Sequence, residues 1–90
     1  MFVVVCYDVA DDGRRAKVLQ AMKGCGVRVQ KSVFECLLDE GQRARMEEKL
    51  RRLCGAEDLA RIYTICGDCQ HKTVVIGEGK VTEDEPGYVV

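Results

Sequence analysis

The chain opens on an apolar run, Phe2 to Cys6, followed by Tyr7 and Asp8. A run this short and valine-rich reads as a buried central strand over Phe2–Asp8. Its period of two sets Asp8 on one face with Cys6 and Val4, and Tyr7 on the other with Val5 and Val3. The carboxylate therefore emerges where the strand leaves the core. Helical spacing follows, with Val18, Leu19, Met22 and Cys25 as the apolar stripe. Asp11 or Asp12 stands where a cap begins that helix, and Gly24 or Gly26 where it stops, near Lys23.

From Val27 to Leu38 the pattern is again extended, with Ser32, Phe34, Cys36 and Leu38 alternating against Val33, Glu35 and Leu37. One bent strand and a tight pair breaking near Lys31 both satisfy it. Asp39 and Gln42 have capping-box spacing, opening a helix that buries Met46, Leu50 and Leu53 and ends at Gly55. Ala60–Cys66 and Thr73–Ile76 are two further extended regions joined by a short turn. The order predicts an α+β, ferredoxin-like two-layer sandwich of βαββαβ type, with both helices on one face of a mostly antiparallel sheet. Residues 1–77 form that domain, and residues 78–90 an acidic tail ending in a short strand, Tyr88 to Val90. The strand is placed to add to a sheet edge of a partner subunit. Ninety residues offer no third layer, so a homodimer through the open face is expected.

Hydrophobic residues make up 47% of the chain and charged residues 32%, which excludes a fully disordered chain. The apolar run at the start is far short of the roughly 20 residues that span a bilayer, and no basic segment precedes it. Neither a membrane segment nor a secretory leader is expected. A net charge of -1 hides a segregation: residues 14–52 carry 11 basic and 5 acidic side chains, whereas residues 76–90 carry one lysine against four acids. A local basic face can still receive a polyanion.

Six cysteines suggest a stapled secreted domain by number but not by placement. Cys6, Cys25, Cys36 and Cys54 occupy apolar positions of strands and helices, where a thiol acts as a small hydrophobe. Cys66 and Cys69 alone have ligand or redox spacing, open to a reduced turn, a disulfide, or half of a metal site shared between subunits. A cytoplasmic location follows as the expectation.

Asp8 is the sharpest candidate for chemistry, because a carboxylate ending an apolar strand is costly unless capped, paired or metal-bound. It either caps the turn into the first helix or serves as a magnesium or manganese ligand. Two copies meeting across a two-fold axis would clamp one ion, which could polarise a phosphodiester oxygen. Arg14, Arg15 and Lys17 oppose the dipole of the first helix, and an anion would reverse that balance. The alternative is a solvated charge run. Arg28 and Lys31 extend the possible phosphate track, with Arg45, Lys49 and Arg52 on the second helix. There, Glu47 and Glu48 also permit ordinary i,i+4 pairs with Arg51 and Arg52.

Other schemes have little support. His71 is the only histidine, remote in sequence from Ser32, and reads as a bystander to any Ser-His-Asp arrangement. No tryptophan is present, so base reading by several stacked aromatics is poorly supported. Small acyl-phosphate hydrolases share this fold size and have a Val-Gln element before a helix, which Val29-Gln30 matches in type. The following Lys31-Ser32 lacks the glycine-containing anion loop expected there.

Tyr7-Asp8-Val9, Asp11-Asp12, Arg14 to Val18 and above all Gly26 to Glu35 resemble the small CRISPR-associated endoribonuclease family, the smaller of the two core proteins of spacer acquisition. Arg61-Ile62-Tyr63 and the tail from Glu85 to Val90 continue the likeness over nearly the whole chain. The resemblance implies a ferredoxin-like homodimer whose C-terminal strand pairs with the other subunit. It implies Asp8 as the catalytic magnesium ligand at the dimer interface, and Arg15, Lys17 and Arg28 as phosphate-facing groups. Tyr7 and Phe34 become site-supporting aromatics. It further implies endonuclease activity on single-stranded RNA or double-stranded DNA, and a complex with the larger CRISPR integrase. In that complex the dimer bridges integrase dimers on protospacer DNA, so a non-catalytic adaptor is the alternative function.

Overall fold

The computed structural model describes residues 1–77. Four strands form one antiparallel sheet: β1 Phe2–Asp8, β2 Val27–Gln30, β3 Val33–Leu37 and β4 Leu59–Ile65. Their order is β2-β3-β1-β4, so the apolar first strand lies inside the sheet, as its composition requires. The helices α1, Asp12–Lys23, and α2, Glu40–Leu53, lie against one face, which makes the α+β two-layer sandwich.

The alternation of β1 resolves as its pattern dictates. Val3, Val5 and Tyr7 are buried under the helices with Phe34 and Cys36 of β3, Val18 and Met22 of α1, and Met46 and Leu50 of α2. Val4, Cys6 and Asp8 point to the opposite face, where Asp8 is exposed. Asp11 caps α1 by accepting from the Arg14 amide at 2.8 Å. Asp39 and Gln42 complete a reciprocal capping box at the start of α2. Leu53, expected in the core, is half-buried at its rim.

The Val27–Leu38 stretch is a hairpin, not one bent strand. The chain turns at Lys31 and Ser32, and a register irregularity lies between Arg28 and Gln30. Gly26 leads into it because no other residue fits: a β-carbon there would lie 2.4 Å from the Glu35 carbonyl oxygen and 2.6 Å from the Cys36 sulfur.

Beyond β4 the expectation needs correction. The joining segment is not a simple turn but a short helix, α3 Gly67–His71, and Thr73–Ile76 is not a strand. β-propensity makes a strand only where an edge accepts its backbone, and none of β1–β4 pairs with these residues. Val74 and Ile76 are left 77% and 93% exposed. The predicted tail, residues 78–90 with the strand Tyr88 to Val90, lies outside the described residues, as does the domain boundary placed there. Among the described residues, no helix is long and apolar enough to cross a membrane.

Candidate functional site

Both halves of the candidate site gather at the end of β1, on opposite sides of it. On the helix side, Tyr7 faces a cleft of about 420 Å³ lined also by Asp12, Arg15, Leu19, Arg28, Lys31 and Ser32. The hairpin turn is fixed there by the Tyr7 amide, which donates to the Ser32 carbonyl at 3.1 Å. Arg28 donates through Nε and Nη2 to the Lys31 carbonyl at 3.1 and 2.9 Å, holding the same turn closed. Arg15 reaches back to the Val9 carbonyl at 3.2 Å and pairs with the exposed carboxylate of Asp12. Three cations thus face one carboxylate across the cleft.

Tyr7 forms the floor. Its ring stacks on Phe34 at a centroid distance of 6.4 Å and an interplanar angle of 23°. Burial raises its hydroxyl above the usual tyrosine range, against the pull of the Arg28 and Arg15 charges. Phe34 is fully buried beneath it, so its part is to support the floor rather than to touch a ligand.

On the other side, Asp8 stands exposed and belongs to none of the ion pairs among the described residues. Its partner across the ladder is Leu59, and Cys6, next on the same face, pairs with Arg61. Arg61 Nη1 donates to the Tyr63 hydroxyl at 3.4 Å. Asp8 does not cap α1; Asp11 does.

Two of the sequence candidates lie elsewhere. Arg14 is turned to Asp58, donating from Nε at 2.8 Å and Nη2 at 3.3 Å. The Asp58 side chain is shut off from solvent and also accepts from the Gly55 amide at 2.7 Å. Arg14 first, then the Gly55 amide, hold the Asp58 carboxyl below its ordinary range. Lys17 lies over the seam between the helices with Lys49, away from the Tyr7 cleft. Arg45, Lys49 and Arg52 line a separate groove against Gly24 and Cys25. Glu47 takes the i,i+4 role, paired with Arg43 and Arg51, each at 2.9 Å. His71 is exposed at the end of α3.

A family profile described as "CRISPR associated protein Cas2" matches residues 1–73, from β1 through α3. The chain belongs to the Cas2 family. It is 40% identical to the CRISPR-associated endoribonuclease Cas2 3 of Chloroflexus aurantiacus, over all of this chain and 98% of that protein. Among solved structures, Streptococcus pyogenes Cas2 superposes with a TM-score of 0.73 and 28% identity, covering 86% of this chain and all of that one. A chain of a partial Cas6-RT-Cas1–Cas2 complex matches at a TM-score of 0.69 and 28% identity, covering 83% of this chain and 89% of that one.

Within this Cas2 fold, two features escape a reading of single segments. Asp58 is one: the trace it leaves is an acid three residues after Gly55, just beyond the Cys54 cap of α2, and its partner is 44 residues away. The Arg61–Tyr63 pair, on the same sheet face as Asp8, is the other. Alternation along β4 puts both side chains on one face, but only the register with β1 puts them on the face that carries Asp8, Arg61 opposite Cys6 and Tyr63 opposite Val4.

Proposed function

We propose that the chain is one subunit of a homodimeric, metal-dependent endonuclease of CRISPR spacer acquisition, cleaving phosphodiester bonds of RNA or DNA at Asp8. One observation carries this reading: the exposed Asp8 carboxylate and the Arg15–Arg28–Lys31 cleft share the end of one strand. Successive residues of a strand are about 3.8 Å apart, so a nucleic-acid strand gripped on the helix side reaches Asp8 by rounding the strand end. Arg15, Arg28 and Lys31 take phosphates and set the register, and Tyr7 and Phe34 keep the cleft floor rigid. Arg14 serves indirectly, by tying the start of α1 to the Asp58 loop, and Lys17 adds charge from the neighbouring seam.

Asp8 fits a hard cation. Among the described residues no cationic partner claims its oxygens, and magnesium or manganese takes carboxylate oxygens while keeping several waters. Among the described residues no group of three or more acidic, histidine or cysteine side chains forms a complete site. Two Asp8 side chains across a two-fold axis would supply two carboxylates, with waters completing the shell. The sheet face opposite α1 and α2 supports such a dimer, because Val27, Leu59 and Tyr63 are 56%, 49% and 48% exposed on it. When bound, such an ion polarises the scissile phosphate and lowers the pKa of the attacking water. Asp8 itself holds and orients that centre at the interface.

A second reading, a non-catalytic adaptor, is favoured by the similarity to a Cas2 chain in an assembly that contains Cas1. In it the dimer positions the larger CRISPR integrase on protospacer DNA through the same basic cleft. Wild type and Asp8→Asn, assayed side by side on labelled single-stranded RNA and double-stranded DNA with a magnesium titration, distinguish the two. The nuclease predicts metal-dependent cleavage that the variant loses while remaining a dimer. Equal cleavage by the variant, or none by either, refutes it. Retained spacer capture by the variant together with the integrase then supports the adaptor.

A further inference from the structure

We propose that Cys66 and Cys69 are a redox-active dithiol that closes to an intramolecular disulfide when a small-molecule disulfide accepts its electrons. All six cysteines are free thiols, and the structure sorts them by access: Cys36 is buried, Cys6, Cys25 and Cys54 are half-buried, and Cys66 and Cys69 are exposed. Burial pushes the Cys36 thiol up to about 11 and raises Cys54 as well, so both stay protonated and inert at neutral pH.

The exposed pair is built differently. Cys66 begins α3, and the Gln70 amide donates to its carbonyl at 2.9 Å, closing one helical turn that holds both thiols on one side. The Cys69 amide and then the Cys69 thiol donate to the Cys66 sulfur, which lowers the Cys66 thiol below its ordinary range. The same contact raises Cys69. Both residues stand open to solvent, so a small-molecule disulfide can approach them. Among the described residues no third ligand joins the pair, whereas a structural zinc site takes four. Closing the disulfide draws the two β-carbons together by about 1–2 Å, which tightens the first turn of α3.

The exchange balances with a disulfide such as oxidised glutathione. The Cys66 thiolate attacks one of its sulfurs, that S–S bond breaks, and one glutathione thiolate leaves. Cys69 gives its proton to solvent and attacks the Cys66 sulfur, and the second glutathione thiolate departs. Two protein thiols have lost two electrons, and one oxidised glutathione has become two reduced ones.

The whole chain is to be equilibrated over a series of reduced-to-oxidised glutathione ratios, then trapped with an alkylating agent and mapped by peptide mass. The expected product links Cys66 to Cys69, with the other four cysteines fully alkylated. Cys69→Ser should stall as a glutathione adduct on Cys66, and Cys66→Ser should give no linked product. Both thiols alkylatable at every ratio would overturn the proposal. So would a disulfide between chains, separate adducts on both residues, or zinc that withstands chelation on the reduced pair.

Discussion

Replacing Arg15, Arg28 and Lys31 together by alanine strips the cleft beside Tyr7 of its cations and leaves Asp12 as its only charge. On single-stranded nucleic acid each neutralised phosphate contributes about 0.7 to the slope of log affinity against log salt. Three lost contacts therefore flatten the slope by about 2.1. Between 50 and 200 mM salt, the wild-type chain should then lose affinity about 20-fold more steeply than the triple variant. Arg14→Ala is the internal control. Its guanidinium is committed to the enclosed Asp58, so this variant should melt earlier yet keep the wild-type slope. Fluorescence anisotropy with a labelled oligonucleotide at four salt concentrations measures both, with circular dichroism confirming the fold. A triple variant with unchanged slope, or an Arg14 variant flattened as much, would refute the assignment of phosphate contacts to this cleft.

Phe34→Ala removes a fully buried ring stacked on Tyr7 and should cost about 3–5 kcal/mol in a urea titration, a large part of the stability of a domain this size. Gly26→Ala forces a β-carbon against the backbone of Glu35 and Cys36 and should destabilise by about 1–3 kcal/mol; a neutral result would mean that β2 shifts freely. Asp58 is held below its ordinary carboxylate range in the folded chain, so its contribution is complete above about pH 4 and is lost as pH falls through the lowered value. Stability followed from pH 7 to pH 2 should fall less steeply in Asp58→Ala than in wild type over that acid range.

Local pattern alone marked β1, the two long helices and β4. The alternation of Val3, Val5 and Tyr7 against Val4, Cys6 and Asp8 named the buried face of β1, and Asp39 with Gln42 marked the start of α2. These are interactions between residues within four positions of one another, which a linear chain displays directly. The family likeness was also legible there, carried by Tyr7-Asp8 and the segment from Gly26 to Glu35. Tertiary structure decided the rest, because contacts across long stretches of chain leave no local mark. Only the fold turned Arg14 inward to Asp58 and gathered Arg15, Arg28 and Lys31 around Tyr7. It set Asp8 on the far side of the same strand, opposite Leu59 of β4. It also denied Thr73–Ile76 the strand that their composition suggests, since a strand exists only where a neighbouring backbone completes its hydrogen bonds.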